Sequence, residues 1–261
     1  MRDFGGTVTG MLPQSRRDLI LRTLRADGPS EVRALADKLG VSQATIRRDL
    51  EQLDAEGRLT RVYGGAMAVE DDQDDPWAEV AAERVEDKDA VARACADMIE
   101  DGETVLLDIG TTAHRLARLL HGRSITVITS NLAVFDELRD DDAVDLVLLG
   151  GLVRRTYHSL VGYLTEDNLR QVHANRLFLG CAGVRADGAV MDTTVVEVPV
   201  KRAMIKAADR VVLMADGGKF PGVGMARVCG PEILNVVVTT ESADPPTRRA
   251  LTDAGVEVVV V

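Results

Sequence analysis

The sequence predicts an α/β chain of two parts, a small N-terminal winged helix-turn-helix and a larger domain with a doubly wound, mainly parallel sheet. Residues 13–68 contain three helical apolar patterns separated by glycines and followed by an alternating segment. Residues 83–261 alternate short apolar runs with helical patterns, which is typical of a parallel sheet covered on both faces. An acidic interval over residues 69–82 predicts a solvated linker, and residues 1–12 are expected to form a flexible N-terminus.

Two helices are expected before the turn. The first carries an apolar stripe over two turns and ends at Gly28-Pro29, and the second begins at Ser30. Gly40 supplies the turn that follows, because this turn needs a positive φ. The expected buried face of the second helix consists of Val32, Leu35, Ala36 and Leu39.

The third helix is the candidate for reading DNA. Ile46, Leu50 and Leu53 recur at helical spacing and predict its buried face. Small residues and two arginines lie on the opposite side, where arginine can form paired hydrogen bonds with guanine in the major groove. An ordinary surface helix is the alternative, and the preceding helix and turn argue against it. After Gly57, the run R-L-T-R-V-Y-G-G-A alternates as the hairpin of a wing would. The predicted DNA-contacting residues are Ser42, Gln43, Ala44, Thr45, Arg47, Arg48 and Arg61.

The charge distribution favours a weakly basic DNA-binding part. The 261 residues carry a net charge of −11, which by itself argues against nucleic acid. Residues 13–65 contain ten Lys and Arg against eight Asp and Glu, a net of +2; residues 1–12 are neutral, so the remainder carries −13. We therefore expect weak non-specific affinity and a homodimer or homotetramer that binds a double-stranded operator with two half-sites.

Cysteine and histidine usage predicts neither a disulfide nor a metal site. The cysteines are Cys95, Cys181 and Cys229, which lack metal-ligand spacing and are expected to be buried thiols. The four histidines likewise lack ligand spacing, and no cofactor is predicted. Because no secretory or membrane-spanning segment is recognisable, we expect a cytoplasmic protein without a membrane partner.

Seven apolar runs are predicted to form the strands of the sheet: T-V-L-L-D, I-T-V-I-T, V-D-L-V-L-L, N-R-L-F-L-G, R-V-V-L-M-A, N-V-V-V-T and V-E-V-V-V-V. Polar residues and glycines follow the first three of these strands. Residues 108–112 follow the first strand, residues 129–131 the second, and Gly150-Gly151 the third. Ligands of such sheets bind at the carboxyl ends of strands, where helix N-termini offer free amides to a phosphate. Helix caps and turns are the alternative interpretation of these three segments.

Long motifs in both parts resemble one family. L-G-V-S-Q-A-T-I-R-R-D-L-E-Q-L and G-R-L-T-R-V-Y-G-G-A resemble the DNA-binding domain of the DeoR family of bacterial sugar-metabolism regulators. L-D-I-G-T-T, V-L-L-G-G, E-V-P-V-K-R and A-D-G-G-K-F resemble its effector domain, whose fold is similar to ribose phosphate isomerase and glucosamine phosphate isomerase. The resemblance implies a phosphorylated sugar effector.

The resemblance also implies which residues bind that effector. They are Asp108, Gly110, Thr111, Thr112, Asn131, Gly150, Gly151, Glu197, Lys201 and Lys219. Two positions depart from the family pattern, since Ser130 replaces an Asn and Gly217-Gly218 replace two Ser. The lysines can neutralise a phosphate, while Asp108, Asp216 and Glu197 can accept sugar hydroxyls. For Glu197 and Lys201, a helical ion pair at a spacing of four residues is the alternative.

Two functions are weighed. The first is a sequence-specific transcriptional regulator, a repressor controlled by a sugar phosphate. The second is a sugar-phosphate isomerase with a DNA-binding appendage, which needs a positioned carboxylate and a proton shuttle. No carboxylate and histidine stand together at a predicted strand end, so the sequence favours the regulator.

Overall fold

The chain divides into two units between Gln73 and Asp74. The computed structural model describes residues 16–17, 19–21, 23–24, 30–55, 58–62, 65–68 and 77–261. The predicted flexible N-terminus over residues 1–12, the helix stop at Gly28-Pro29 and residues 69–76 of the predicted linker lie outside the described residues. Each unit has its own hydrophobic core and is described by itself.

The smaller unit is a winged helix-turn-helix. Residues 16–17, 19–21 and 23–24 are helical and precede the elements α1 (Val32–Leu39), α2 (Gln43–Ala55), β1 (Ser30–Glu31), β2 (Leu59–Val62) and β3 (Gly65–Ala68). Gly40 joins α1 to α2 with a left-handed φ of 64°. The three strands form one antiparallel sheet in the order β1-β3-β2. The predicted core positions of both helices are buried except for Val32, which is half-buried, and Ile46 and Leu53 are at 0 % exposure.

The predicted start of the second helix at Ser30 is wrong. Ser30 and Glu31 form strand β1, which pairs with Ala66 and Gly65, and the helix begins at Val32. A Cβ atom on Gly65 would overlap the carbonyl oxygen of Ser30. The absence of a side chain at Gly65 therefore lets β3 approach closely enough to hold Ser30 in a strand.

The larger unit alternates strands and helices. Its helices are α3 (Trp77–Ala82), α4 (Val85–Ala96), α5 (Thr111–Arg118), α6 (Leu132–Leu138), α7 (Tyr163–Leu169), α8 (Val198–Lys206) and α9 (Pro245–Asp253). Its strands are β4 (Thr104–Leu107), β5 (Ile125–Thr129), β6 (Val144–Leu148), β7 (Leu152–Arg154), β8 (Ser159–Val161), β9 (Ala174–Leu179), β10 (Gly183–Val184), β11 (Val190–Asp192), β12 (Ala208–Met214), β13 (Ala226–Cys229), β14 (Val236–Thr239) and β15 (Glu257–Val260). Short 3-10 helices cover Gly217–Lys219 and Pro231–Ile233.

Seven strands form one parallel sheet in the order β15-β14-β12-β9-β4-β5-β6. These strands are the seven apolar runs predicted from the sequence, so the mainly parallel sheet is confirmed. Alternate strand residues enter opposite cores: Leu106 and Leu177 pack into one, and Leu107 and Phe178 into the other. Helices α7, α8 and α9 contribute to the first core and α4, α5 and α6 to the second. The sheet is therefore doubly wound, as predicted.

The short antiparallel strands and helix α3 were not expected. Strands β7 and β8 pair as a hairpin, and β10, β11 and β13 form a separate sheet. Residues 77–82, assigned to the linker from their position beside an acidic run, form α3 and belong to the larger unit. The amide of Trp77 donates a hydrogen bond to the carbonyl of Thr156 at 3.2 Å.

Candidate functional site

Helix α2 presents the predicted DNA-contacting side chains on its exposed side. The Oγ atom of Ser42 accepts a hydrogen bond from the amide of Thr45 at 3.1 Å, which caps the helix. Ser42, Gln43, Ala44, Arg47 and Arg48 are exposed, and Thr45 is half-buried. These residues share one accessible face, while the opposite face is buried in the core.

Two ion pairs brace α2. The buried carboxylate of Asp49 accepts hydrogen bonds from the guanidinium of Arg16, with a shortest distance of 2.6 Å. The guanidinium of Arg61, in the first strand of the wing, lies 3.5 Å from the carboxylate of Glu51. Arg61 is exposed, and this ion pair links the first strand of the wing to α2.

A cavity of about 210 Å³ opens at the carboxyl ends of the central strands β4, β9 and β12. We call it the strand-end cavity. Its lining consists of Val80, Lys88, Ile109, Gly110, Thr111, Thr112, Ala113, Tyr157, Gly180, Cys181, Ala182, Asp192, Thr193, Lys201, Met214 and Lys219. Strand β4 connects through α5 to β5 on one side, whereas β9 lies on its other side. This reversal of strand order opens a crevice beside β4, as in other doubly wound sheets.

The structure brings together five of the ten predicted effector residues: Gly110, Thr111, Thr112, Lys201 and Lys219. The other five do not line the cavity. Asp108, Asn131, Gly150, Gly151 and Glu197 have structural contacts instead.

Two helices that follow neighbouring strands differ in how they begin. Helix α5 begins after Gly110, whose φ of 113° favours glycine, and no side chain caps it. Its first turn faces the strand-end cavity. Helix α6 is capped by the Oδ1 atom of Asn131, which accepts hydrogen bonds from the amides of Ala133 and Val134. The anion-binding interpretation therefore suits residues 110–112, whereas at Asn131 the cap interpretation is the correct one.

The ammonium of Lys201 is neutralised within the protein. It forms a buried ion pair with Asp108, lies 3.5 Å from Asp192, and donates to the carbonyl of Gly180 at 3.2 Å. Burial alone would lower the pKa of Lys201, but the carboxylates of Asp108 and Asp192 raise it above its ordinary value. Lys201 therefore stays charged and positions the cavity wall.

Glu197 is buried away from the cavity. Its Oε1 atom pairs with the guanidinium of Arg154 and accepts a hydrogen bond from Ser159 at 2.8 Å. Burial raises the pKa of Glu197 to about 7, although Lys201 and Arg154 act to lower it. The pairing of Glu197 with Arg154, and of Lys201 with Asp108, replaces the helical ion pair weighed from the sequence.

Gly151 allows close packing of protein on protein. A Cβ atom there would overlap the Oγ1 of Thr165 and lie 2.9 Å from the carbonyl oxygen of Val161. The amide of Gly150 donates to Asn168 at 2.8 Å. Both glycines thus serve the contact of this loop with β8 and α7, and the predicted approach of a ligand to them is not supported by the geometry.

Lys88 and Lys219 are the lysines of the cavity lining that form no direct ion pair among the described residues. Among the described residues, no acidic group lies within ion-pair distance of either ammonium. Lys88 is buried and donates to the carbonyl of Val80 at 2.5 Å. Burial lowers the pKa of Lys88 to about 8, with a smaller opposing effect from Asp216. Two positive charges and the first turn of α5 therefore face one polar space.

Steric crowding explains why glycine occupies the two positions before Lys219. A Cβ atom on Gly217 would lie 2.6 Å from the amide nitrogen of Ala243, and one on Gly218 would lie 2.8 Å from the Cδ of Arg84. The guanidinium of Arg84 contacts the carboxylate of Asp216 at 2.7 Å. Asp216 is therefore already paired, and serine side chains at 217 and 218 would not fit here without a shift.

The chain matches two family models at the positions of these two units. The DeoR-like helix-turn-helix domain matches residues 16–72, and the DeoR C terminal sensor domain matches residues 83–241. Together these matches cover well over half of the chain. The chain belongs to the DeoR family of transcriptional regulators. The smaller unit is its DNA-binding domain, and the larger unit is its sensor domain.

Relatives match this DeoR-family chain over nearly its full length. The putative aga operon transcriptional repressor of Escherichia coli is 32% identical over 97% of this chain and 95% of its own. The transcriptional repressor AccR of Agrobacterium fabrum is 35% identical over 87% and 89%. The glycerol-3-phosphate regulon repressor of Escherichia coli is 30% identical over 93% and 97%. All three are named as repressors.

Two solved structures are similar to parts of the chain at low sequence identity. Ribose 5-phosphate isomerase A from Methanocaldococcus jannaschii covers 51% of this chain and 52% of its own, at 16% identity and a TM-score of 0.37. The delta subunit of eIF2B from Chaetomium thermophilum covers 87% and 71%, at 14% identity and a TM-score of 0.44.

The sequence did not predict several residues that line the strand-end cavity. Lys88 lies on a helix without a motif, and Tyr157 follows a short hairpin strand. Cys181 follows β9 directly, a strand end that the apolar run N-R-L-F-L-G could have indicated. Burial raises the pKa of Cys181 to about 12, so the thiol remains protonated. Cys95 is buried as predicted, whereas Cys181 and Cys229 are half-buried.

The described residues contain neither a metal-binding cluster nor a membrane-spanning helix. No group of histidine, cysteine and acidic side chains in that part of the chain is arranged to hold a metal ion. Among the described helices, none has the length and apolar character needed to cross a membrane.

Proposed function

We propose that this chain is a repressor that binds a double-stranded operator through α2 and is controlled by a phosphorylated sugar in the strand-end cavity. One observation carries the effector half of the proposal. The ammonium groups of Lys88 and Lys219 face the same space as the uncapped first turn of α5. A phosphate dianion there would receive charge-assisted hydrogen bonds and the favourable end of the helix dipole.

The rest of the cavity suits a hydroxylated ligand. Thr111, Thr112 and Thr193 offer hydroxyl groups, and Asp192 offers a carboxylate oxygen. Sugars present several hydroxyls that can donate to such oxygens and accept from such hydroxyls. The name of the glycerol-3-phosphate regulon repressor supports a phosphate ester of a small hydroxylated compound as the class of effector.

A homodimer or homotetramer suits the DNA-binding half. One winged helix-turn-helix with a charge of about +2 would bind a single site weakly, because phosphate contacts supply most of the affinity. Two copies bound to half-sites one helical turn apart combine their contacts. Light scattering measures the assembly directly.

Thermal denaturation tests the effector. The panel contains glycerol 3-phosphate, fructose 6-phosphate, glucosamine 6-phosphate and inorganic phosphate, each beside its unphosphorylated counterpart where one exists. At a hundredfold excess over Kd, a bound phosphate ester should add about 2.7 kcal/mol of stability and raise the Tm, while the free sugar does little. Lys219→Ala should abolish the shift. Lys206→Ala, an exposed lysine outside the strand-end cavity, is the matched control.

Equal stabilisation by free and phosphorylated sugars would contradict the phosphate site. Turnover of a sugar phosphate by the pure protein would instead support the isomerase alternative. Two carboxylates near the strand ends, Asp108 and Glu197, are both paired and buried. We therefore propose binding without catalysis.

A further inference from the structure

Helix α3 is the first described element after the division of the chain at Gln73 and Asp74. It is also part of the wall of the strand-end cavity, because Val80 lines that cavity. The polypeptide that leads from the DNA-binding domain therefore reaches the sensor domain at its cavity.

Helix α3 has no buried side chain. Its described backbone contacts are polar: Trp77 donates to Thr156 at 3.2 Å, and the carbonyl of Ala81 accepts from Arg115 at 3.1 Å. The carbonyl of Val80 accepts from the ammonium of Lys88 at 2.5 Å. Elements with little apolar burial open at low free-energy cost, so the position of α3 depends on these few contacts.

An aromatic cluster adds a second attachment. The indole of Trp77 stacks on the imidazole of His158, with ring centroids 5.3 Å apart and planes 8° from parallel. Tyr157 meets the indole edge-on at 5.9 Å. His158 has a φ of 52°, a strained conformation for a non-glycine residue that persists only where its surroundings hold it.

Two residues therefore contact α3 and also line the strand-end cavity. Lys88 holds the carbonyl of Val80 and lines the cavity, and Tyr157 contacts Trp77 and lines the cavity. An anion bound beside Lys88 competes with the Val80 carbonyl for the ammonium. A ligand shifts an equilibrium when its affinity differs between the two states, and this competition supplies such a difference.

We propose that α3, held by Lys88 and by the stack of Trp77 on His158, is the switch through which a bound sugar phosphate alters operator affinity. The inference rests on the proposed function. The phosphate draws the Lys88 ammonium from Val80 and displaces Tyr157, which releases α3 from the cavity wall.

The only tryptophan of the chain is Trp77, so its fluorescence reports on α3 alone. The probes are glycerol 3-phosphate, fructose 6-phosphate and glucosamine 6-phosphate, with binding measured by calorimetry. The test variant is His158→Asn, because asparagine tolerates the left-handed backbone but removes the stacking ring. The control is His173→Asn, an exposed histidine that pairs with Asp209. Trp77→Leu removes the stack from the other side and gives a second test of coupling.

In the wild type, Trp77 emission should change with the same Kd that calorimetry gives for the sugar phosphate. His158→Asn should still bind the probe, and its probe-free operator Kd should shift towards the value that the wild type shows at saturating probe, because loss of the stack releases α3 without a ligand. The probe-induced change in operator Kd, typically about 5- to 150-fold in coupled systems, should fall below about twofold in His158→Asn and Trp77→Leu. His173→Asn should behave as the wild type.

Unchanged Trp77 emission at saturation, or full coupling in both stack variants, would overturn the switch. A wild type that binds none of the three sugar phosphates would overturn the proposed function, and the switch with it. Binding and coupling that survive the loss of the stack would overturn the switch alone. The operator duplex is obtained beforehand by selection from a random library.

Discussion

The ammonium of Lys201 pairs with the carboxylate of Asp108 behind the strand-end cavity, and both side chains are at most 2 % exposed. Lys201 joins α8 to the carboxyl end of β4, and Gly180 at the end of β9 donates to the same carboxylate at 2.9 Å. The pair thus fixes the two strand ends between which the crevice opens.

Loss of Lys201 should therefore affect stability first. Lys201→Met leaves Asp108 and Asp192 without their common cation and should cost about 3 to 5 kcal/mol of unfolding free energy. Urea denaturation measures this cost. The double variant with Asp108→Asn should recover part of it, and equal stability of Lys201→Met and wild type would refute the structural role.

The pH dependence of effector binding should follow Lys88. Its folded pKa of about 8 means that the free protein loses this charge as the pH rises through 8, whereas a bound phosphate favours the charged form. Affinity should therefore be full below pH 8 and fall above it, by roughly tenfold or more between pH 7.5 and 9.5. Calorimetry of Lys88→Gln should show weaker binding without this slope. The same slope in the variant would assign the effect to another group.

Substitution of Gly151 by alanine should show whether this glycine is needed for packing or for ligand binding. Gly151→Ala pushes a Cβ atom into Thr165 and should cost roughly 1 to 3 kcal/mol of stability without changing the sugar-phosphate Kd of the folded protein. Gly150→Ala is the milder control, because its nearest contact would be 3.3 Å from Asn168. Reduced affinity at unchanged stability would return Gly151 to the list of ligand contacts.

Substitution of the exposed arginines of α2 should show whether each one contacts a base or a phosphate of the DNA. Arg47→Ala or Arg48→Ala should cost roughly 1 to 3 kcal/mol of operator binding if the arginine reads a base, with little effect on random duplexes. A phosphate contact weakens all duplexes alike. Arg33→Ala, on α1, is the matched control because this side chain is 79% exposed. Operator binding that survives loss of both arginines would contradict the role of α2.

Periodicity predicted the architecture well because its signal is local. All seven central strands are short apolar runs, and the stripes of α1 and α2 recur at helical spacing. The site was harder because it depends on strand order. The sequence pointed to the ends of β4, β5 and β6, whereas the cavity lies at β4, β9 and β12.

Side-chain partners were beyond the reach of sequence patterns. Asn131 serves as a cap, Glu197 pairs with Arg154, and Lys88 enters the cavity from a helix without a motif. The cap at Asn131 is a local contact and was the alternative interpretation of its segment, whereas the outcomes at Glu197 and Lys88 depend on residues that are distant in the chain. Local spacing carries no information on such contacts.

The most direct test of the account is the operator Kd measured with and without a saturating sugar phosphate. Wild type and Lys206→Ala should show a change of about 5- to 150-fold, and Lys219→Ala should show none at the same concentration. An operator Kd that no sugar phosphate alters, in a protein that binds its operator, would contradict control through the strand-end cavity.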